Sequence, residues 1–229
     1  MVALPATRLA YSVRQLRGPR IVRATFTLGG MLIAPTLMAD ETLRVGVYHN
    51  PPELVLNDQQ RLDGIFGDLL TAIAEREAWQ VEPVSCEWRH CLELLERGDI
   101  DLLPGVARSE ARAERFRFHS EPALHSWSQI YQREGLSIES VVDLAEQRVS
   151  VVDGSIQQDH LVALTQRFDI PVDWINVRSP EEGFAKVVSG EADAAAVNRQ
   201  FGEWRAGETG LIDTPLMFQP VQLYFAGSS

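Results

Sequence analysis

Between Cys86 and Pro122 the chain reads CEWRHCLELLERGDIDLLPGVARSEARAERFRFHSEP, an order of signals that few folds accommodate. Trp88, Leu92 and Leu95 are spaced by four and three residues, which puts them on one face of a helix. Gly98 stands at its end, where a left-handed cap is needed and only glycine enters without a Cβ penalty. Ile100, Leu102 and Leu103 then predict a short apolar strand that ends at Pro104-Gly105. Side chains at such an exit face the crevice beyond the carboxyl ends of the strands, where open α/β sheets bind ligands. Arg112 lies just past it.

The flanks extend this pattern. Leu43–Tyr48 alternates and is rich in β-formers, and the loop His49-Asn50-Pro51-Pro52 follows it. Asn57–Arg61 predicts a hairpin tip. Phe66, Leu69, Leu70 and Ile73 predict an amphipathic helix over 65–77, and a strand starts at Trp79–Pro83. This is β-α-β, the unit of a parallel sheet. Ala123–Tyr131 alternates again. Ser137–Leu144 reads as a short helix and Arg148–Val152 as a strand. Ser155 is suited to cap a helix carrying Leu161, Leu164 and Phe168. After a strand over 172–177, Ser179-Pro180-Glu181-Glu182 has the form of a capping box with proline at the first helical position. Phe184, Val187 and Val188 are expected to face inward, with Gly190 ending the helix. LLERGDIDLL and KVVSGEADAAAV share helix, glycine, two residues, aspartate and strand, so Gly98 and Asp101 echo Gly190 and Asp193. Repeated units of this kind mean repeated lobes. Asp213–Ala226 reads as a return crossover.

Charge is unevenly placed. Residues 1–39 carry five arginines and no acid, which leaves 16 basic against 32 acidic residues downstream. That excess argues against nucleic acid, whose partners present basic surfaces. The arginine-rich start, the apolar run Ala24–Ala39 and the following Asp40 have the form of a signal peptide cleaved after Ala39, with an uncleaved anchor as the alternative. The run is shorter than the roughly 20 apolar residues of a spanning helix. Both readings place the remainder outside the cytoplasm, in the periplasm. There the pair Cys86 and Cys91 is suited to a local disulfide between a strand end and a helix start. Two cysteines without a histidine cluster do not indicate a metal, and no motif indicates a cofactor.

The central stretch resembles the signature of the family 3 extracellular solute-binding proteins: helix, Gly-x-x-Asp, strand, a small residue and glycine, threonine, then Pro-Glu-Arg and aromatic-Ser-x-Pro. The matching residues are Gly98, Asp101, Gly105, Arg112, Phe118, Ser120 and Pro122, and the resemblance extends from about Leu43 to Ala226. It implies a two-lobed α/β fold of the type II periplasmic-binding kind, each lobe a mostly parallel sheet flanked by helices. Lobe 1 would span 40–128, lobe 2 129–216, and 217–229 would be the return strand to lobe 1, without the C-terminal helix that family members add. It also implies a non-catalytic role: capture of a small anionic or amino-acid-like solute, with a membrane transporter or signalling protein as partner. Arg112 would grip a carboxylate. Trp88 would be an aromatic shelf, Gly105 and Val106 would offer backbone groups, and Ser155 an amide and hydroxyl. His49 would contribute one wall. Asn198 stands where amino-acid binders carry an acid for the ligand's ammonium.

Taken alone, the residues leave other roles open. Arg112 reads equally as an ion-paired surface arginine, Trp88 as a core residue, Ser155 as a plain cap and His49 as a solvated loop residue. The sequence also departs from the family pattern. Asn198 replaces the acid, Ala107 a threonine and Ile156 a second threonine. A charge partner for an ammonium is thereby lost, which points to a carboxylate-bearing or less polar solute rather than a standard α-amino acid. The segments VARSEAR, FRFHSEPALHSWSQIY, VVDGS and AVNRQFG resemble the branch of the family that serves as sensor domains on histidine kinases and diguanylate cyclases, so a truncated sensor domain is one alternative. A dehydratase-like enzyme on the same fold is another, with Glu53, Glu110 or Glu114 as the available general acid.

Overall fold

The computed structural model describes residues 42–229; the expected leader lies outside them. β1 (Thr42–Val47) is followed by a small hairpin of β2 (Val55–Leu56) and β3 (Leu62–Asp63), then α1 (Ile65–Glu77) and β4 (Gln80–Ser85). Next come α2 (Trp88–Arg97), β5 (Leu102–Ala107), the single turn α3 (Glu110–Ala113), β6 (Arg117–Phe118) and β7 (Leu124–Gln132). The second half contains β8 (Arg148–Val152), α4 (Ile156–Arg167), β9 (Asp173–Val177), α5 (Pro180–Val188) and β10 (Ala194–Asn198). α6 (Arg199–Thr209) and the long β11 (Ile212–Gly227) finish the chain.

All strands but the hairpin form one sheet in the order β4-β1-β5-β11-β7-β10-β8-β9, with β6 paired to β11. The order contains one arrangement twice. β1 lies parallel between β4 and β5, and β8 lies parallel between β9 and β10. β11 runs antiparallel to β5 and β7 antiparallel to β10, and β7 and β11 join the halves. The repeat seen in the sequence is therefore a repeat of topology, and the fold is the expected mixed α/β type. One core packs around Val45, Phe66, Leu95, Leu103 and Phe225. Two more cover the second half, one around Val149, Leu161 and Ile130, the other around Tyr131, Phe184 and Phe201.

The repeated aspartates do the same mechanical work in each half. Asp101 accepts from the Arg44 amide at 2.8 Å and from its guanidinium at 2.6 and 3.0 Å. Asp193 accepts from the Arg148 amide at 3.0 Å and from its guanidinium at 2.8 and 2.9 Å. In both, the aspartate amide returns a bond to the arginine carbonyl at 2.8 Å. Each clamp fixes the start of the third strand of its unit against the first. The arginine holds each carboxyl below its ordinary pKa. A lowered carboxylate pKa gives stability that is present above the ordinary carboxylate range and is lost as pH falls through the folded value.

Several local expectations change. β5 does not end at Pro104-Gly105 but runs on to Ala107. Leu103 faces Ala226 and Val106 faces Tyr224, so Pro104 and Gly105 together oppose Phe225 alone: a β-bulge, with Gly105 at φ +72°. Proline's missing amide is tolerated at such a break in the ladder. Ser137–Leu144 contracts to a 3-10 turn, Val141–Leu144, closed by the Ser140–Asp143 capping box. Phe168 and Val188 are exposed: Phe168 is the C-cap just past α4, and Val188 is the last residue of α5. α6 is an additional helix beyond the elements that the sequence pattern predicts.

Cys86 and Cys91 form a disulfide, joining the end of β4 to α2. Closing so short a loop is worth about 2 kcal/mol by chain entropy. The double variant Cys86→Ser/Cys91→Ser is expected to unfold at lower denaturant by about that amount, with an unchanged m-value.

Candidate functional site

The carboxyl ends of the central strands from both halves converge on one cleft of about 590 Å³. Arg112, Trp88, Gly105, Ser155, Asn198 and His49 all line it. Val106 does not. It is fully buried in the core around Val45, Phe66 and Phe225, because the bulge at Pro104-Gly105 sets which side chains of β5 face the cleft.

Arg112 is 7% exposed. α3 holds it: Ser109 caps that turn by accepting from the Arg112 amide, which aims the side chain back at β5. Its guanidinium donates to the Ala107 carbonyl at 3.1 Å and to the Gly154 carbonyl, in the other half, at 3.3 Å. Its carbon lies 5.3 Å from the centre of the Trp88 ring. Burial pulls its pKa down. A buried cation bonded only to neutral carbonyls leaves room for an anion's charge-assisted bonds.

Trp88 is core and cleft wall at once. Tyr48 packs edge-on against it at 4.8 Å, and its indole donates to the Gly154 carbonyl at 3.1 Å. Gly105 is required where it stands, since a Cβ there would lie 2.5 Å from the Tyr48 hydroxyl. Ser155 caps α4 by accepting from the Gln158 amide. The next amides, of Ile156 and Gln157, belong to the first turn and have no intrahelical acceptor, a setting that favours anions. His49 is exposed at the rim.

Asn198 caps α6, accepting from the Phe201 amide at 2.8 Å, and donates across the cleft to Asn50 at 3.0 Å. Asn50 in turn donates to Glu53 Oε2 at 3.0 Å. Glu53 is the residue whose position the sequence did not reveal. α1 has no side-chain cap; the carbonyls of Pro52 and Glu53 receive its first amides instead. That pins the loop and turns the Glu53 side chain inward, where it is 1% exposed. Glu110 and Glu114 are exposed and do not line the cleft. Arg178 and Glu182 at the start of α5, and Glu87 before α2, also line it. Arg178 pairs with both acids at 3.3 Å, and its bond to Glu87 bridges the halves. Arg89 and Asp153 bridge them again at 2.6 Å.

Burial pushes the Glu53 carboxyl up to about 7, against the Asn50 bond that lowers it. The unfolded chain ionises near 4.5, so between about 4.5 and about 7 the folded state holds the extra proton. Stability from this group is thus complete below that window and declines as pH rises through it, by on the order of 3 kcal/mol. Glu53→Gln is expected to flatten this decline, so that the variant gains on the wild type at pH 8 and not at pH 4. Chemical denaturation across pH checks it.

Residues 43–137 match the model of the bacterial extracellular solute-binding proteins, family 3. The Vibrio harveyi protein PatH, a candidate amino-acid ABC transporter-binding protein, is 28% identical over 183 residues, covering 79% of this chain and 71% of its own. A solved ancestral arginine-binding protein bound to arginine superposes with a TM-score of 0.75 at 25% identity, covering 82% of this chain and 84% of its own. A histidine kinase sensor domain with similarity to periplasmic binding proteins superposes at 0.73 with 22% identity, covering 82% of each chain, and shares the fold.

Proposed function

We propose that this chain, which matches family 3 of the bacterial extracellular solute-binding proteins over residues 43–137 and shares the fold of solved binding proteins over 82% of its length, captures a small carboxylate-bearing solute between two lobes. The observation that supports this reading is Arg112: a buried guanidinium on the cleft wall, bonded to two carbonyls and, among the described residues, to no carboxylate. A carboxylate bound there gains two parallel charge-assisted bonds in a geometry that lysine cannot copy. The first-turn amides of α4 approach the same cleft from the second half. The solute thus engages both halves, and the contacts that bridge them, Arg89–Asp153 and Asn198–Asn50, favour the closed state together with it. Closure in the periplasm serves transport or sensing alike, and the partner is a membrane transporter or a signalling protein.

Thermal unfolding of the full chain with a panel of carboxylates, amino acids and polyamines tests this. A ligand that binds only the folded form raises the melting temperature by mass action. A saturable shift with carboxylates supports the reading; shifts with polyamines alone sink it.

One observation favours a dehydratase-like enzyme as a second reading. Glu53, in the cleft and held up to about 7, has the pKa of a general acid working near neutrality. Chromatographic detection of product from a prephenate-like substrate, lost in Glu53→Gln, would decide for it.

A further inference from the structure

Six charged or protonatable side chains besides the tyrosine Tyr48 line the cleft: His49, Glu53, Glu87, Arg112, Arg178 and Glu182. Three of them satisfy one another, since Arg178 pairs with Glu87 and with Glu182. His49 is exposed to solvent. That leaves Arg112 and Glu53, one of each sign, both buried and both without an ion-pair partner among the described residues. The carboxyl is only half used. Its Oε2 accepts from Asn50, while Oε1 is buried without any hydrogen-bond partner. A buried polar atom of this kind costs stability and calls for an explanation.

Asn198 cannot stand in for an acid. Its oxygen is committed to the Phe201 amide and its nitrogen to Asn50. An N–H cation entering the cleft meets there only the remaining lone pair of a neutral amide, whereas Glu53 Oε1 has no partner and takes up charge when the carboxyl ionises.

We propose that Glu53 is a second ligand-holding group of this cleft, that its free oxygen receives a cationic N–H of the solute whose carboxylate Arg112 holds, and that binding is proton-linked. This rests on the carboxylate reading above and deepens it: the solute is a carboxylate that also carries an ammonium or comparable cation. The step balances simply. Neutral Glu53 loses its proton to solvent as the cation arrives, and the ionised carboxylate pairs with it. Tyr48, just past the end of β1, is the titratable group coupled to this carboxyl, and Arg112 of α3 is coupled to Tyr48 in turn; from the second half the neutral amide of Asn198 reaches it by way of Asn50. With a carboxyl that titrates at about 7, about half a proton is released per ligand at pH 7. Capture of the cationic solute weakens as pH falls below that value.

The experiment is isothermal titration calorimetry of the full chain at pH 7 with three matched probes: pentanoate, 2-aminopentanoate and 5-aminopentanoate. Each is titrated in two buffers of different ionisation enthalpy, which reads proton release directly. The expected result is that one amine-bearing probe binds at least about tenfold more tightly than pentanoate, as a charge-assisted bond provides, and that only this probe releases protons. Glu53→Gln, of nearly the same size, is expected to abolish the release and bring the two affinities within about twofold. If carboxylates bind but the amine adds nothing, releases no proton, or keeps its gain in Glu53→Gln, the role of Glu53 is overturned while the carboxylate reading stands. If no probe binds, the carboxylate reading itself falls and takes this inference with it. The proton release is measured on the wild type, so the result does not depend on the variant's folding.

Discussion

Arg112→Ala is expected to lose carboxylate binding about a hundredfold while remaining folded. Two charge-assisted bonds at about 1.5 kcal/mol each amount to about 3 kcal/mol, or two powers of ten in affinity. Arg112→Lys is expected to recover little of this, because an ammonium presents a point charge rather than a fork. Folding survives because the guanidinium is a buried cation paired only with carbonyls, so its removal leaves no opposite charge stranded. The ligand-induced rise in melting temperature should vanish in both variants, while the melting temperature of the unliganded protein moves much less. A rise of the same size in Arg112→Ala would mean that the solute binds elsewhere.

Gly202→Ala is expected to be the most destabilising small change in the second half. A Cβ at Gly202 would overlap the ring of Tyr131, which is 1% exposed and packed against Phe184. Neither neighbour has room to move, so α6 must lift from the sheet. Overpacking of this kind costs about 1–3 kcal/mol, occasionally more. The same substitution at Gly207, one and a half turns further along α6, meets nothing within 4 Å. There alanine's higher helix propensity is expected to stabilise by about 0.5–1 kcal/mol. The pair of variants thus moves in opposite directions in one helix, as urea denaturation would show. Because Asn198 caps α6, lifting the helix also strains the Asn198–Asn50 bond across the cleft, and Gly202→Ala should weaken ligand binding as well.

Legibility of the chain followed how local the governing physics was. Gly98 with Asp101 and Gly190 with Asp193 were readable as a repeat, because a left-handed helix end and an aspartate three residues on are short-range devices. The partners Arg44 and Arg148 were not readable, since the clamps form between strands far apart in sequence. Pro104-Gly105 reads as a strand end by local rules; the ladder with β11 turns it into a bulge, and only the tertiary pairing reveals that. α6 escaped notice because RQFGEWRAGET carries two glycines and few apolar residues, and what fixes it is the close fit of Gly202 on Tyr131. In the cleft, Arg112 stood out only through the family resemblance; its burial and its bond to Gly154 in the other half follow from how the two halves meet. Glu53 was one acid among several. The sequence PPELV suggests a solvated loop, and what buries the carboxyl is the use of the Pro52 and Glu53 carbonyls to start α1. Asn198 is marked in the sequence only by the charge it lacks; its engagement with Asn50 depends on how the two halves meet, and with the Phe201 amide on the start of α6.

The most direct test of the central claim is a crystal structure of the full chain with whichever carboxylate raises its melting temperature most. The expected structure has that solute in the cleft, its carboxylate oxygens on the Arg112 guanidinium between Trp88 and the start of α4, with the bridges Arg89–Asp153 and Asn198–Asn50 closed over it. A carboxylate bound outside the cleft, with Arg112 still bonded only to the carbonyls of Ala107 and Gly154, would contradict it.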